Sequence, residues 1–250
     1  MEQPTAQTNA APTNLSQQPA APPVPWTGGD IFLAVIVGVG VLLGMVPLAS
    51  AALHLLDAEW TKHLTGMLVS VAELGLLLPI WLFGVHKYRV SWRHVGFRRF
   101  DVSRGLSLGC LFLLVSFAFN FVWSLLLLGL ADKQAQPDML PLFGGGGGGL
   151  AVALLAGSLV APIAEEAFFR GYVFAGLRKY VGFRAAVVLS AALFAAAHIL
   201  PTSMPPIFVL GVLFALLYDR TGSIWPAAAM HAAMNALAFL ASYALQVLPM

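Results

Sequence analysis

"APIAEEAFFRGYVF", residues 161–174, sets two adjacent carboxyl side chains and a guanidinium inside one of the longest apolar runs of a 250-residue chain. Composition says what surrounds that run. The chain is 59% hydrophobic and only 10% charged, with a mean hydropathy of +0.84. A soluble domain carries charge at roughly a quarter of its positions, so this chain has too little charge to cover itself in water. Lipid must cover it. The expected fold class is all-α, a polytopic membrane helix bundle.

Working outward from 161–174, the apolar runs fall at 31–56, 64–85, 105–130, 150–177, 185–200, 206–218 and 223–248. A span needs about 20 apolar residues, so five runs cross unaided, while 185–200 and 206–218 are short. About seven transmembrane helices are expected. Charge placement agrees. Lys87, Arg89, Arg93, Arg98, Arg99 and Arg104 lie between the second and third runs, Arg178, Lys179 and Arg184 after the fourth, and Arg220 after the sixth. Only Lys62 and Lys133 fall in the intervening loops. By the positive-inside rule the N-terminus is cytoplasmic, and the expected location is a bacterial plasma membrane. The basic loop, with Trp92 and Phe97, is expected to touch anionic lipid, and no nucleic-acid partner is implied by a net charge of +2.

Residues 1–30 are rich in Pro, Ala, Gln and Thr and read as a disordered tail, with Trp26 as an interfacial anchor. Residues 31–149 form accessory helices and loops, and 150–250 a catalytic bundle. The glycine run at 144–149 reads as a loose connector. Cys110 has no cysteine to pair with and reads as a small buried hydrophobe.

Spacing sorts the polar residues of the last four runs. Glu166 and Arg170 are four apart and share a helix face. Glu165 is offset by about 100° and is free for another task. His198 lies in "LFAAAHIL" (193–200), and His231 and Asn235, again four apart, in "MHAAMNALAF" (230–239). A carboxylate, two imidazoles and an amide at one depth are parts for activating water. Glu165 beside His198 would act as general base, with His231 and Asn235 donating to the oxyanion. Alternatively, Glu165, His198 and His231 would hold a zinc ion that supplies hydroxide. Arg170 would keep Glu166 ionised. Glu73, also intramembrane, reads as a helix-packing residue. Two non-proteolytic functions compete: a partner-binding membrane protein and a proton-coupled carrier. The second would be expected to show matched half-repeats, and the chain shows none.

"EEAFFRG", "FAAAH" and "HAAMN" resemble the three motifs of the CAAX protease and bacteriocin-processing (CPBP) family of intramembrane proteases. The pattern Glu-Glu-x-x-x-Arg, Phe-x-x-x-His, His-x-x-x-Asn is met in order by Glu165, Glu166 and Arg170, by Phe194 and His198, and by His231 and Asn235. The resemblance covers about residues 150–240. It implies a helical bundle that cleaves peptide bonds of membrane-associated peptides or proteins. Type II CAAX prenyl endopeptidases, which act on prenylated substrates, are its best-known members. The family also includes members linked to bacteriocin immunity. The resemblance leaves the metal-dependent and glutamate-based mechanisms both open.

Overall fold

The computed structural model describes residues 23–53, 58–131 and 138–247. Among these there is no strand. The helices are α1 (Gly28–Leu53), α2 (Ala58–Leu74), α3 (Leu77–Ile80), α4 (Val102–Ala131), α5 (Gly146–Val152), α6 (Ala161–Glu166), α7 (Ala175–Ala197), α8 (Met204–Thr221) and α9 (Trp225–Val247). Three wider, π-wound segments continue them: Trp81–His86 after α3, Ala153–Val160 between α5 and α6, and Ala167–Phe174 between α6 and α7. The all-α membrane bundle is thus the observed architecture.

Five of the described helical stretches are long and apolar enough to cross a membrane: Leu64–His86, Val102–Gly129, Gly146–Ala197, Met204–Thr221 and Trp225–Val247. The 52-residue stretch Gly146–Ala197 contains two of the seven expected runs. It breaks at Gly182, whose φ of 75° and ψ of 175° leave the helix. A residue without Cβ adopts such a conformation at little steric cost. The first run contributes the shorter apolar helix Gly28–Gly44.

Contacts between loops show how the passes alternate. At one end Lys87 pairs with Asp30 at 2.5 Å, Lys179 Nζ donates to the Trp26 carbonyl at 2.6 Å, and Arg178 pairs with Asp219. Ser223 Oγ donates to the Arg98 carbonyl at 2.7 Å. The segments around residues 26–30, 87–99, 178–179 and 219–225 therefore meet, as alternate crossing requires. At the other end Ser242 Oγ donates to Asp138 at 2.6 Å, and Trp123 Nε1 to the Thr202 carbonyl at 2.8 Å.

The core is aromatic. Phe168, Phe169, Tyr172, Phe174, Phe194 and Phe214 are buried together. Outside it, Leu106, Leu114 and Phe121 of α4 are about two-thirds exposed, an apolar face that fits hydrocarbon rather than water.

Four expectations change. Residues 1–22 of the expected tail lie outside the described residues, but the packed chain starts before residue 31. Trp26 is fully buried, stacked on Tyr172 with ring centroids 4.6 Å apart, and its Nε1 donates to the Tyr172 carbonyl at 3.1 Å. Gly176 makes room for it, since a Cβ there would lie 2.5 Å from Trp26 Nε1. The indole is thus an internal strut, not an interfacial anchor. The glycine run is no loose connector either: α5 begins within it, and a Cβ on Gly149 would lie 2.1 Å from the Gly144 carbonyl oxygen. Cys110 is exposed, on an α4 that faces outward.

Candidate active site

The site grows from α6 and the π-wound turns on either side of it. Glu166 and Arg170 are both fully buried, and Arg170 Nη1 donates to Glu166 Oε1 at 2.9 Å. The i,i+4 spacing that predicts this pair survives the wider winding after Glu166. Arg170 Nη2 reaches the Gly211 carbonyl on α8 at 3.3 Å. α8 comes this close because Gly211 lacks a Cβ, which would lie 3.0 Å from Ala191 Cα on α7. The guanidinium lies 4.2 Å from the Phe194 ring centroid and 4.9 Å from that of Phe214. Aromatic faces and a carboxylate thus replace the water that a buried cation loses.

α9 brings in His231. Its ring stacks on Phe214 with centroids 5.0 Å apart and meets Phe194 edge-on at 5.7 Å. These two contacts fix the plane of the imidazole. Nδ1 is 3.2 Å from Glu166 Oε1, and Nε2 is 4.0 Å from Glu165 Oε2. One ring therefore stands between both glutamates. Arg170, Glu166, His231 and Glu165 form a continuous chain of charge-bearing groups in a buried site. Glu165 Oε2, the oxygen that faces His231, and Glu166 Oε2, the oxygen not used in the Arg170 pair, are both buried without a hydrogen-bond partner. They are acceptors facing inward with capacity to spare.

The other two motif residues stand differently. His198 ends α7, and its Nδ1 is 2.9 Å from the Phe194 carbonyl one turn back. Its ring packs on Phe194 at 4.9 Å, so both imidazoles border the same aromatic side chain. No hydrogen bond joins His198 to either glutamate. The chain turns sharply just after it, at Ile199, with a left-handed φ of 60°. Asn235 Nδ2 donates to the Gly157 carbonyl at 2.8 Å, in the π-wound segment before α6. Wide turns of this kind release carbonyls from the helical ladder, and the amide satisfies one of them. Asn235 thereby locks α9 to the helix that carries the glutamates.

Two residues near the site carry no motif. Glu73 of α2, which packs against α6, has an Oε2 buried without a partner and interacts electrostatically with Glu165. Its only sequence signal is being an acid in an apolar run. Ser158, also buried, has an unpartnered Oγ seven residues before Glu165. Among the described residues no three His, Cys, Asp or Glu side chains are placed to hold a metal ion.

Residues 147–237 match the family model described as type II CAAX prenyl endopeptidase, Rce1-like. The match includes all seven motif residues and leaves the first 146 residues, Glu73 among them, outside it. No curated protein and no solved structure matches the chain. Residues 147–237 of this integral membrane protein, which hold the three motifs and the buried site they build, are thus similar to the Rce1-like type II CAAX prenyl endopeptidase family.

Proposed function

We propose that the protein hydrolyses a peptide bond of a membrane-associated peptide or protein substrate, with Glu165 as general base and no metal in the reacting step. The observation that carries this reading is the His231 ring held between the two glutamates, at 3.2 Å from one and 4.0 Å from the other. A water donating to Glu165 Oε2 lies within reach of the imidazole at ordinary hydrogen-bond lengths of about 2.8 Å. Glu165 takes a proton from that water as the oxygen attacks the scissile carbonyl carbon. The carbonyl π electrons move onto oxygen. The resulting oxyanion is met by His231 Nε2–H, with Nδ1 of the same ring held by Glu166. Asn235, with one amide N–H spent on Gly157 and one remaining, is the second donor in this reading. Collapse breaks the C–N bond, and Glu165 returns its proton to the leaving amine. Water's hydroxyl ends on the new carboxyl group and its proton on the amine.

Arg170 touches no reacting atom in this scheme. It holds Glu166, and Glu166 holds His231. His198, anchored by its own helix turn, lines the substrate side of Phe194. The family suggests a prenylated C-terminal peptide as substrate, and the positive-inside rule sets the basic end of the bundle toward the cytoplasm. Purified protein in lipid vesicles should be given matched peptides with and without a farnesylated cysteine, and the products weighed by mass spectrometry. Cleavage that depends on the prenyl group supports both halves of the proposal. Cleavage of both peptides alike removes the prenyl half. Specific binding without any cleavage would instead favour the partner-binding function.

A further inference from the structure

The end of the bundle where the basic loops meet contains a cavity of about 490 Å³ lined by Arg93, Phe97, Arg98, Arg99 and Trp225. Its walls are fixed. The segment 92–98 is pinned to the turn between α8 and α9 by Ile224 N–H donating to the Gly96 carbonyl at 3.1 Å and by Ser223 Oγ donating to the Arg98 carbonyl at 2.7 Å. Phe97 meets Trp225 edge-on at 5.7 Å and Trp92 at 5.6 Å. Three arginines line this space and, among the described residues, no carboxylate does. Arg93 and Arg98 enter none of the ion pairs of the described residues. Arg98 Nε is buried and has no hydrogen-bond partner. Burial, above all, pushes the Arg98 guanidinium pKa down; Tyr218 opposes this, and the like charge of Arg93 adds a smaller push in the same direction as burial. α9 also begins here, so the positive end of its dipole adds to the same field. Arg93 and Arg98 thus bring charge to this space without a carboxylate of the described residues to meet it.

We infer that this cavity binds the phosphate of an anionic phospholipid headgroup, with the guanidiniums forking the phosphate oxygens and Phe97 and Trp225 packing against the glycerol region. The phosphate is indicated by several planar donors converging on one space, the geometry in which arginine outperforms lysine. The lipid source is indicated by what adjoins the cavity. Trp225 is 39% exposed, and the first turns of α4, which packs on α9, present Val102 and Leu106 outward at 66% and 65%, apolar surface for acyl chains to cover. Aromatic residues at the headgroup level are usual there. The inference does not depend on the proteolytic reading, because the site lies on different residues.

The test uses the full chain in neutral phosphatidylcholine nanodiscs, with phosphatidylglycerol, phosphatidylcholine and inorganic phosphate as separate additions. Native mass spectrometry reads retained lipid, and thermal unfolding reads stabilisation. One phosphatidylglycerol should be retained per protein in preference to phosphatidylcholine. Retention should weaken at least about tenfold in the Arg93→Gln/Arg99→Gln variant, as expected for losing two charge-assisted contacts. A charge-matched Arg89→Gln/Arg104→Gln variant, altered outside the cavity, should retain the lipid normally. Should the first variant fold poorly, Trp225→Leu with the arginines intact should still lower retention. Equal retention of the two lipids overturns the inference, as does equal loss in the two double variants. So does stabilisation by inorganic phosphate that matches that by phosphatidylglycerol, since the cavity would then be a site for soluble phosphate.

Discussion

Replacing Arg170 by methionine separates what holds the site together from what makes it react. The side chain is fully buried, pairs with Glu166 at 2.9 Å, donates to Gly211 and lies over two aromatic rings. Its removal leaves Glu166 as a buried carboxylate beside His231 alone. Breaking a buried pair from one side costs about 3–5 kcal/mol, while replacing both partners with apolar groups of similar volume is often neutral or stabilising. Arg170→Met should therefore lose about 3–5 kcal/mol, read as easier unfolding in mixed micelles on titration with a denaturing detergent. The double variant Glu166→Met/Arg170→Met should regain most of that stability. It should still be inactive, because His231 Nδ1 has lost the carboxylate that orients it. A single variant as stable as wild type would refute the reasoning. So would a double variant that is stable and cleaves normally.

Other predictions follow from the same geometry. Glu165→Gln should slow cleavage by about 10²–10⁴, the usual contribution of a general base, with little change in unfolding, since Oε2 makes no hydrogen bond and lies 4.0 Å from His231. Asn235→Ala should destabilise by about 1 kcal/mol for the lost Gly157 bond and lower kcat by a further 10²–10³ if its second N–H meets the oxyanion. Thermal unfolding and kinetics measured on the same preparation separate the two effects. Ile199→Gly should stabilise by about 1–2 kcal/mol by relieving the left-handed backbone, checked by unfolding. Prolonged chelation followed by dialysis should leave the cleavage rate unchanged. Activity lost to chelation and restored by zinc would move the mechanism to a metal held by Glu165, His198 and His231.

Much of this site is readable from spacing. The four-residue steps in Glu166–Arg170 and His231–Asn235 say which side chains share a face, while the offset of Glu165 does not send it to a separate place, since both glutamates flank the His231 ring. What spacing does not carry is the partner across the bundle. His231 meets Glu166 as well as Glu165, and Asn235 meets Gly157, because α9 packs against a π-wound turn that no hydrophobic period announces. His198 bonds within its own turn, a local choice open to any histidine near a helix end. Trp26 read as interfacial because it precedes an apolar run. Burying it takes Gly176, 150 residues away, and a carbonyl on the same helix. The glycine run lacks any side chain to signal that Gly149 packs on Gly144. Glu73 illustrates the same limit: its neighbour, Glu165, is set by how α2 lies on α6.

The central claim is that Glu165 activates the attacking water. Single-turnover cleavage of a bound peptide should be timed in vesicles for wild type and for Glu165→Gln, with substrate affinity measured on both proteins. The account predicts unchanged affinity and a rate at least about a hundredfold lower in the variant. Cleavage by Glu165→Gln at the wild-type rate would contradict it.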